Sequence, residues 1–173
     1  MHNITNEQFN NCITAFNEVL VENLIFDKEY TLTIKNNYIK KVNFDKSYLF
    51  TSIEMSKKID SEVIRIDFTV SYHDFYQVPI LNIRPYKDGS FTALNGIGLQ
   101  IAPTVITALT THHILQKTWI EVHACETLEA LQTLPEIYGT TVDSVLEYLC
   151  CWFGFYGLPA IFPNIRFRPH LYM

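Results

Sequence analysis

The sequence predicts an α+β domain: an antiparallel four-stranded meander sheet with a packed N-terminal helix, a cysteine-bearing segment after the sheet, and a C-terminal helix. Three observations carry that prediction. Apolar residues recur every three or four positions from Phe9 to Leu24, the period falls to two from Tyr30 to Pro85, and the helical period returns from Val142 to Tyr156. Strands run together between terminal helices, and short links make consecutive strands pair with their neighbours. The whole of residues 1–173 is expected to form one domain, since this length buries a sizeable core without disulfide or metal staples.

The first helix has a start signal. In Thr5-Asn6-Glu7-Gln8 the Thr5 hydroxyl and the Gln8 side chain can each satisfy a backbone N–H left free at a helix start. Phe9, Cys12, Ile13, Phe16, Val19, Leu20 and Leu24 then form one buried stripe. Cys12 belongs to it and is expected to be structural.

Strands follow. Tyr30–Ile34 and Tyr38–Val42 alternate, with Asn36-Asn37 expected to turn the chain between them. Tyr48–Met55 continues the pattern. Val63, Arg65, Asp67 and Thr69 alternate with Ile64, Ile66, Phe68 and Val70, which predicts a sheet wet on one face. Pro79–Pro85 is a short strand whose prolines should sit at its ends, because they cannot donate to a ladder. Lys87-Asp88-Gly89-Ser90 is a turn, and no βαβ crossover is expected before residue 100.

Pro103 is placed to open a helix with Val105, Ile106 and Leu109 on one side, although the β-branched residues around it oppose that assignment. His112 and His113 are adjacent and diverge on any regular element, so solvated or capping roles are expected and no metal site. Thr127–Leu134 is a candidate short helix ended by Pro135. Thr141 begins the last helix, whose stripe includes Val145, Leu149, Cys150, Phe153 and Tyr156. Three prolines in the tail, Pro159, Pro163 and Pro169, exclude a continuous helix there.

The stretch Thr118–Thr127 holds the chemistry. Trp119, Ile120 and Val122 would seat a strand in a core, and His123 and Cys125 stand two residues apart at its polar end. On a strand such a pair shares one face with Cα atoms ~7 Å apart. Cys125 has two readings, a nucleophile or a buried small hydrophobe.

Composition excludes several classes. Charged residues make up 18% and the formal charge is -5, which leaves no basic footprint for nucleic acid or anionic membrane. The N-terminus lacks the basic and apolar regions of a signal peptide, and no uninterrupted apolar run approaches the ~20 residues of a membrane span, so a cytoplasmic location is expected. The four cysteines, Cys12, Cys125, Cys150 and Cys151, show no Cys-x-x-Cys spacing, so free thiols are expected rather than zinc or a redox pair.

Two stretches together carry a family resemblance: Ser71-Tyr72-His73-Asp74-Phe75-Tyr76-Gln77-Val78-Pro79 and His123-Ala124-Cys125-Glu126-Thr127. They resemble the autophagy E2-like conjugating enzymes, in which a Tyr-rich link ending in proline joins two sheet strands and a His-Pro-Cys motif holds the nucleophile. The compact chain is most similar to the smaller branch, that of autophagy-related protein ten. Ala124 departs from the motif's proline, which leaves the backbone before the nucleophile less rigidly set.

The resemblance implies an E2-like fold and an acyltransferase. Cys125 would receive the C-terminus of a ubiquitin-like modifier, resembling autophagy protein twelve, as a thioester from an activating enzyme. It would pass the acyl group to a lysine of an acceptor resembling autophagy protein five. No cofactor is implied, in keeping with the lack of a Gly-rich phosphate loop. His123 would stabilise the developing oxyanion, accept a proton from the amine, or only fix the loop. Tyr72 and Tyr76 match the family, as sheet-edge packing or with a hydroxyl reaching the site. The alternatives are a non-catalytic E2-fold module that binds ubiquitin-like or autophagy proteins, and a thiol hydrolase using Cys125 with His112, His113 or His170 as base.

Overall fold

A computed structural model of the chain describes residues 3–43, 45–60, 62–103, 106–122 and 142–169. Helix α1 spans Asn6–Asn23, and its start is the expected reciprocal cap: Gln8 N donates to Thr5 Oγ1 at 3.0 Å and Thr5 N donates to Gln8 Oε1 at 2.9 Å. Its inward stripe is Phe9, Cys12, Ile13, Phe16 and Leu20.

The strands are β1 (Leu24–Phe26), β2 (Tyr30–Val42), β3 (Lys46–Lys57), β4 (Val63–His73), β5 (Val78–Lys87), β6 (Ser90–Phe91), β7 (Thr107–Thr111) and β8 (Thr118–Val122). Helix α2 (Val142–Tyr156), helix α3 (Leu158–Ile161) and strand β9 (Ile165–Phe167) complete the order. The main sheet runs β2-β3-β4-β5-β8-β7 with β6 beside β5, and β1 pairs separately with β9. The expected antiparallel meander is therefore β2 to β5, lengthened on one side by the β7–β8 hairpin. Architecture and element order are those of an E2-like α+β fold.

One face of this sheet meets the helices. Ile64, Ile66, Phe68 and Val70 of β4 are at most 2% exposed, and Leu149, Trp152 and Phe153 of α2 are buried over them and α1. Phe153 sits at the junction, its ring 5.8 Å from Phe16, 6.1 Å from Phe68 and 5.1 Å from Phe167. Gly157 ends α2 where the chain turns tightly: a Cβ there would lie 2.4 Å from the Phe153 carbonyl oxygen, so only glycine fits. The stretch Ser144–Ile161 averages a mean hydropathy of 1.2 over 18 residues, enough in length and composition for a membrane span, which qualifies the expectation from the sequence. Of that stretch 56% is buried inside the protein against α1 and the sheet, as a core helix would be.

Four local expectations are corrected. Asn36-Asn37 does not turn the chain; β2 is one strand with a bulge between Ile34 and Asn36. Asn37 instead exchanges amide hydrogen bonds of 2.8 Å with Asn17 of α1 and donates to Thr51 Oγ1 at 2.9 Å, tying helix to sheet. Thr107–Thr111 is a strand, not part of a helix from Pro103, because its threonines favour extended backbone and β8 supplies a partner; Thr104 and Val105 lie outside the described residues. Pro79 and Pro85 lie inside β5, and among the described residues its ladder to β8 is confined to Asn82 and Ile83, between the two missing donors. Finally, the second face of β4 is not uniformly wet. Arg65 and Asp67 reach solvent, but Thr69 and Ser71 are fully buried under the β7–β8 hairpin.

The Lys87–Ser90 turn is as expected. Asp88 (φ 50°) and Gly89 (φ 80°) both adopt left-handed backbone between paired Lys87 and Ser90, the geometry of a two-residue hairpin loop. The segment 123–141, including the candidate short helix at Thr127–Leu134, falls outside the described residues.

Candidate active site

Cys125, His123 and Ala124 also lie outside the described residues; what the structure gives is the strand that leads to them. Strand β8 is described through Val122, the residue before His123 in the chain. It is held on both sides, with Ile120 opposite Ile83 of β5 and opposite Leu109 of β7. Trp119 (3% exposed) and Ile120 (6%) anchor it to opposite faces, as the apolar spacing predicted.

The back of β8 is fastened by a histidine the sequence left as solvated or capping. His112 is 0% exposed and terminates β7. Its Nδ1 accepts from the backbone N–H groups of Ile114 at 3.0 Å and Leu115 at 3.1 Å, so Nδ1 carries no proton. Nε2 therefore carries it and donates to Thr69 Oγ1 of β4 at 2.8 Å. The capping role holds and the solvated one does not. The Trp119 indole stands edge-on to this ring at 5.3 Å and to Phe50 at 6.4 Å. Burial, then the neighbouring His113, pushes the His112 pKa down to about 4.

His113 stacks on His112 at 5.2 Å and bonds Ser71 Oγ through Nε2 at 2.8 Å. Burial and the nearby Lys46 and His73 lower its pKa to about 4, with Asp74 opposing. The residue as a whole is exposed, with its Nε2 edge turned in against Ser71. Both nitrogens of His112 are engaged, which removes it as the free base that a thiol hydrolase would need; His170 lies outside the described residues.

The Tyr-rich link forms the β4–β5 turn. Tyr72 is 6% exposed and donates its hydroxyl to the Ile4 carbonyl at 2.6 Å, while its ring packs 5.9 Å from Phe9. That hydroxyl is committed to the N-terminal segment, which supports the packing reading. Tyr76 packs on His73 at 4.9 Å, and its backbone N–H donates to His73 Nδ1 at 3.2 Å. Lys46 and Asp74 form an ion pair beside it. Gln77 closes the turn with a left-handed φ of 55°.

The other cysteines sit where their apolar settings put them. Cys12 and Cys150 are buried and Cys151 is half-buried, and none of the three is in a disulfide. Burial pushes the Cys150 thiol up to about 12 and raises that of Cys151, so neither forms thiolate readily. Among the described residues no three His, Cys, Asp or Glu side chains are grouped to hold a metal ion.

Residues 8–165 match the family described as autophagocytosis associated protein, active-site domain. The chain belongs to this family. It is also 39% identical over 173 residues to the ubiquitin-like-conjugating enzyme ATG10 of Candida albicans, covering 98% of this chain and 94% of that one. A conjugating enzyme of the ATG10 family, acting in autophagy by an E2-like reaction, is what the fold and these similarities establish together. As a member of that family it works with a ubiquitin-like modifier, an activating enzyme and an acceptor.

Proposed function

We propose that Cys125 is the nucleophile, loaded by an activating enzyme with the C-terminus of a modifier resembling autophagy protein twelve. The Cys125 thiolate attacks the thioester carbonyl on the activating enzyme, a new C–S bond forms, and that enzyme's thiolate leaves. A lysine amine of an acceptor resembling autophagy protein five then attacks. The C–N bond forms, the amine proton passes to a base, and Cys125 departs as thiolate. The observation that carries this reading is the identity across nearly the whole chain to a conjugating enzyme, combined with a strand clamped on both edges that ends beside the His123-x-Cys125 motif.

The physical demands are modest. A thiol of ordinary pKa ~8.5 is a few per cent thiolate at neutral pH, which suffices for exchange between thiols of similar basicity. Cys150 and Cys151 have raised pKa values and Cys12 is buried, so these three compete poorly. Where Ala124 replaces the motif's proline, the anchoring of Trp119 and Ile120 supplies rigidity just upstream. His123 acts on the carbonyl oxygen or on the amine proton. ATP is consumed by the activating enzyme, and the reaction takes place in the cytosol.

Incubation with activating enzyme, modifier and ATP, followed by a non-reducing gel, tests the reading. A lasting, thiol-sensitive adduct is expected. No adduct would indicate a binding module, and cleaved modifier would indicate a hydrolase.

A further inference from the structure

The back of the sheet carries a cation with no anion among the described residues. Arg84 of β5 lies half-buried, its guanidinium carbon 5.2 Å from the ring centre of Phe91, 5.6 Å from that of Trp119 and 5.7 Å from that of Tyr86. Its Nε is buried without a hydrogen-bond partner, as is Nε1 of the adjoining Trp119. Among the described residues no carboxylate pairs with it. Asp67, opposite Arg84 in the β4–β5 ladder, is engaged by Ser52 Oγ at 2.6 Å and lies 3.3 Å from Arg65 Nε. Glu121 of β8 sits opposite Asn82 and forms no ion pair with Arg84.

We propose that Arg84, framed by Tyr86, Phe91 and Trp119, is the docking site for an acidic side chain of the acceptor protein. Aromatic walls hold the guanidinium plane without consuming its donors, so the fork stays available for a bidentate carboxylate. Aromatic residues and arginine are also the types that dominate protein docking energies. In a chain of net charge -5, an arginine left without an acid among the described residues is complementary to an acidic partner. The acceptor is the partner that fits, a choice that rests on the thioester reading above. The modifier is tethered covalently to Cys125, whereas the acceptor arrives by diffusion and must be held while its lysine reacts. Trp119 precedes Cys125 by six residues, at most ~20 Å of chain, so a protein seated here is within reach of the nucleophile.

The test is calorimetric binding of the purified acceptor to the full, unloaded chain, with single-turnover discharge of the loaded chain as a second readout. Arg84→Gln should weaken acceptor binding about tenfold or more, and Arg84→Lys should restore part of it and keep its salt dependence. Loading of Cys125 and discharge to free lysine should stay within about twofold, with the denaturation midpoint serving as a check on folding. Unchanged acceptor affinity in Arg84→Gln overturns the proposal. So does a loading defect, which would give the face to the modifier or the activating enzyme, and so does an equal loss of discharge to free lysine. Binding is measured without the thioester, so a failure of the Cys125 reading is seen separately, as absence of adduct in the wild type.

Discussion

His112 Nε2 is 2.8 Å from Thr69 Oγ1, a hydrogen bond that joins the end of β7 to the buried back of β4. Protonating this ring would place a second N–H at Nδ1, where two backbone N–H groups already point, so the fold requires the neutral form.

That requirement sets a pH dependence. The folded pKa is lowered to about 4, below the unfolded value of ~6.5, so the unfolded chain binds the proton first as pH falls. Stability contributed by His112 is therefore full above pH ~6.5 and declines until the folded group also titrates near pH ~4, a loss on the order of 2–3 kcal/mol. Urea unfolding from pH 7.5 to 5 should show falling stability, and His112→Gln should be less stable at pH 7.5 with a flatter profile. An equally steep profile in the variant would assign the dependence to other groups.

Phe153 joins α1, the sheet and β9 through three ring contacts. Phe153→Ala should cost about 3–5 kcal/mol, a large share of the ~5–15 kcal/mol that holds a domain together. Denaturant titration reads the shift in midpoint; a change below about 1 kcal/mol would mean that the junction collapses around the gap.

Cys12, Cys150 and Cys151 pack among apolar side chains or at the edge of the core. Each replaced by Ala should retain transfer, with stability losses near ~1 kcal/mol at the two buried positions and less at Cys151. Loss of adduct in folded Cys150→Ala or Cys151→Ala would place a second thiol in the reaction path.

Sequence periodicity was sufficient for α1, its cap, the β3–β5 meander and α2, because each buries one face and the pattern records which. It misjudged Thr107–Thr111, where a partner strand and β-branching outweighed a proline that looked like a helix start. It also split β2, since a bulge and a turn share the same Asn-rich chemistry. The burial of Thr69, Ser71 and His112 was not legible, because it depends on a hairpin from 43 residues later folding over the sheet. The only local signal was two small hydroxyl residues where the alternation elsewhere placed charge. The cage around Arg84 likewise assembles from β5, β6 and β8, which no spacing rule joins.

The two chemical roles open to His123 make different demands on the two steps. Amine attack must shed a proton from a lysine of unperturbed pKa ~10.4, while thiol exchange uses thiolate already present. We expect His123→Ala to leave loading within about tenfold of wild type and to slow discharge by more, with the defect shrinking as pH rises. Equal, pH-independent defects in both steps would favour the oxyanion or loop-fixing role.

The central claim concerns one sulfur atom, and the linkage formed by Cys125→Ser tests it most directly. Loaded with activating enzyme, modifier and ATP, the wild type should give an adduct that reductant removes. Cys125→Ser should give a slower adduct, an oxygen ester that withstands reductant and yields to alkali. A thiol-sensitive adduct undiminished in Cys125→Ser would place the nucleophile elsewhere and contradict the account.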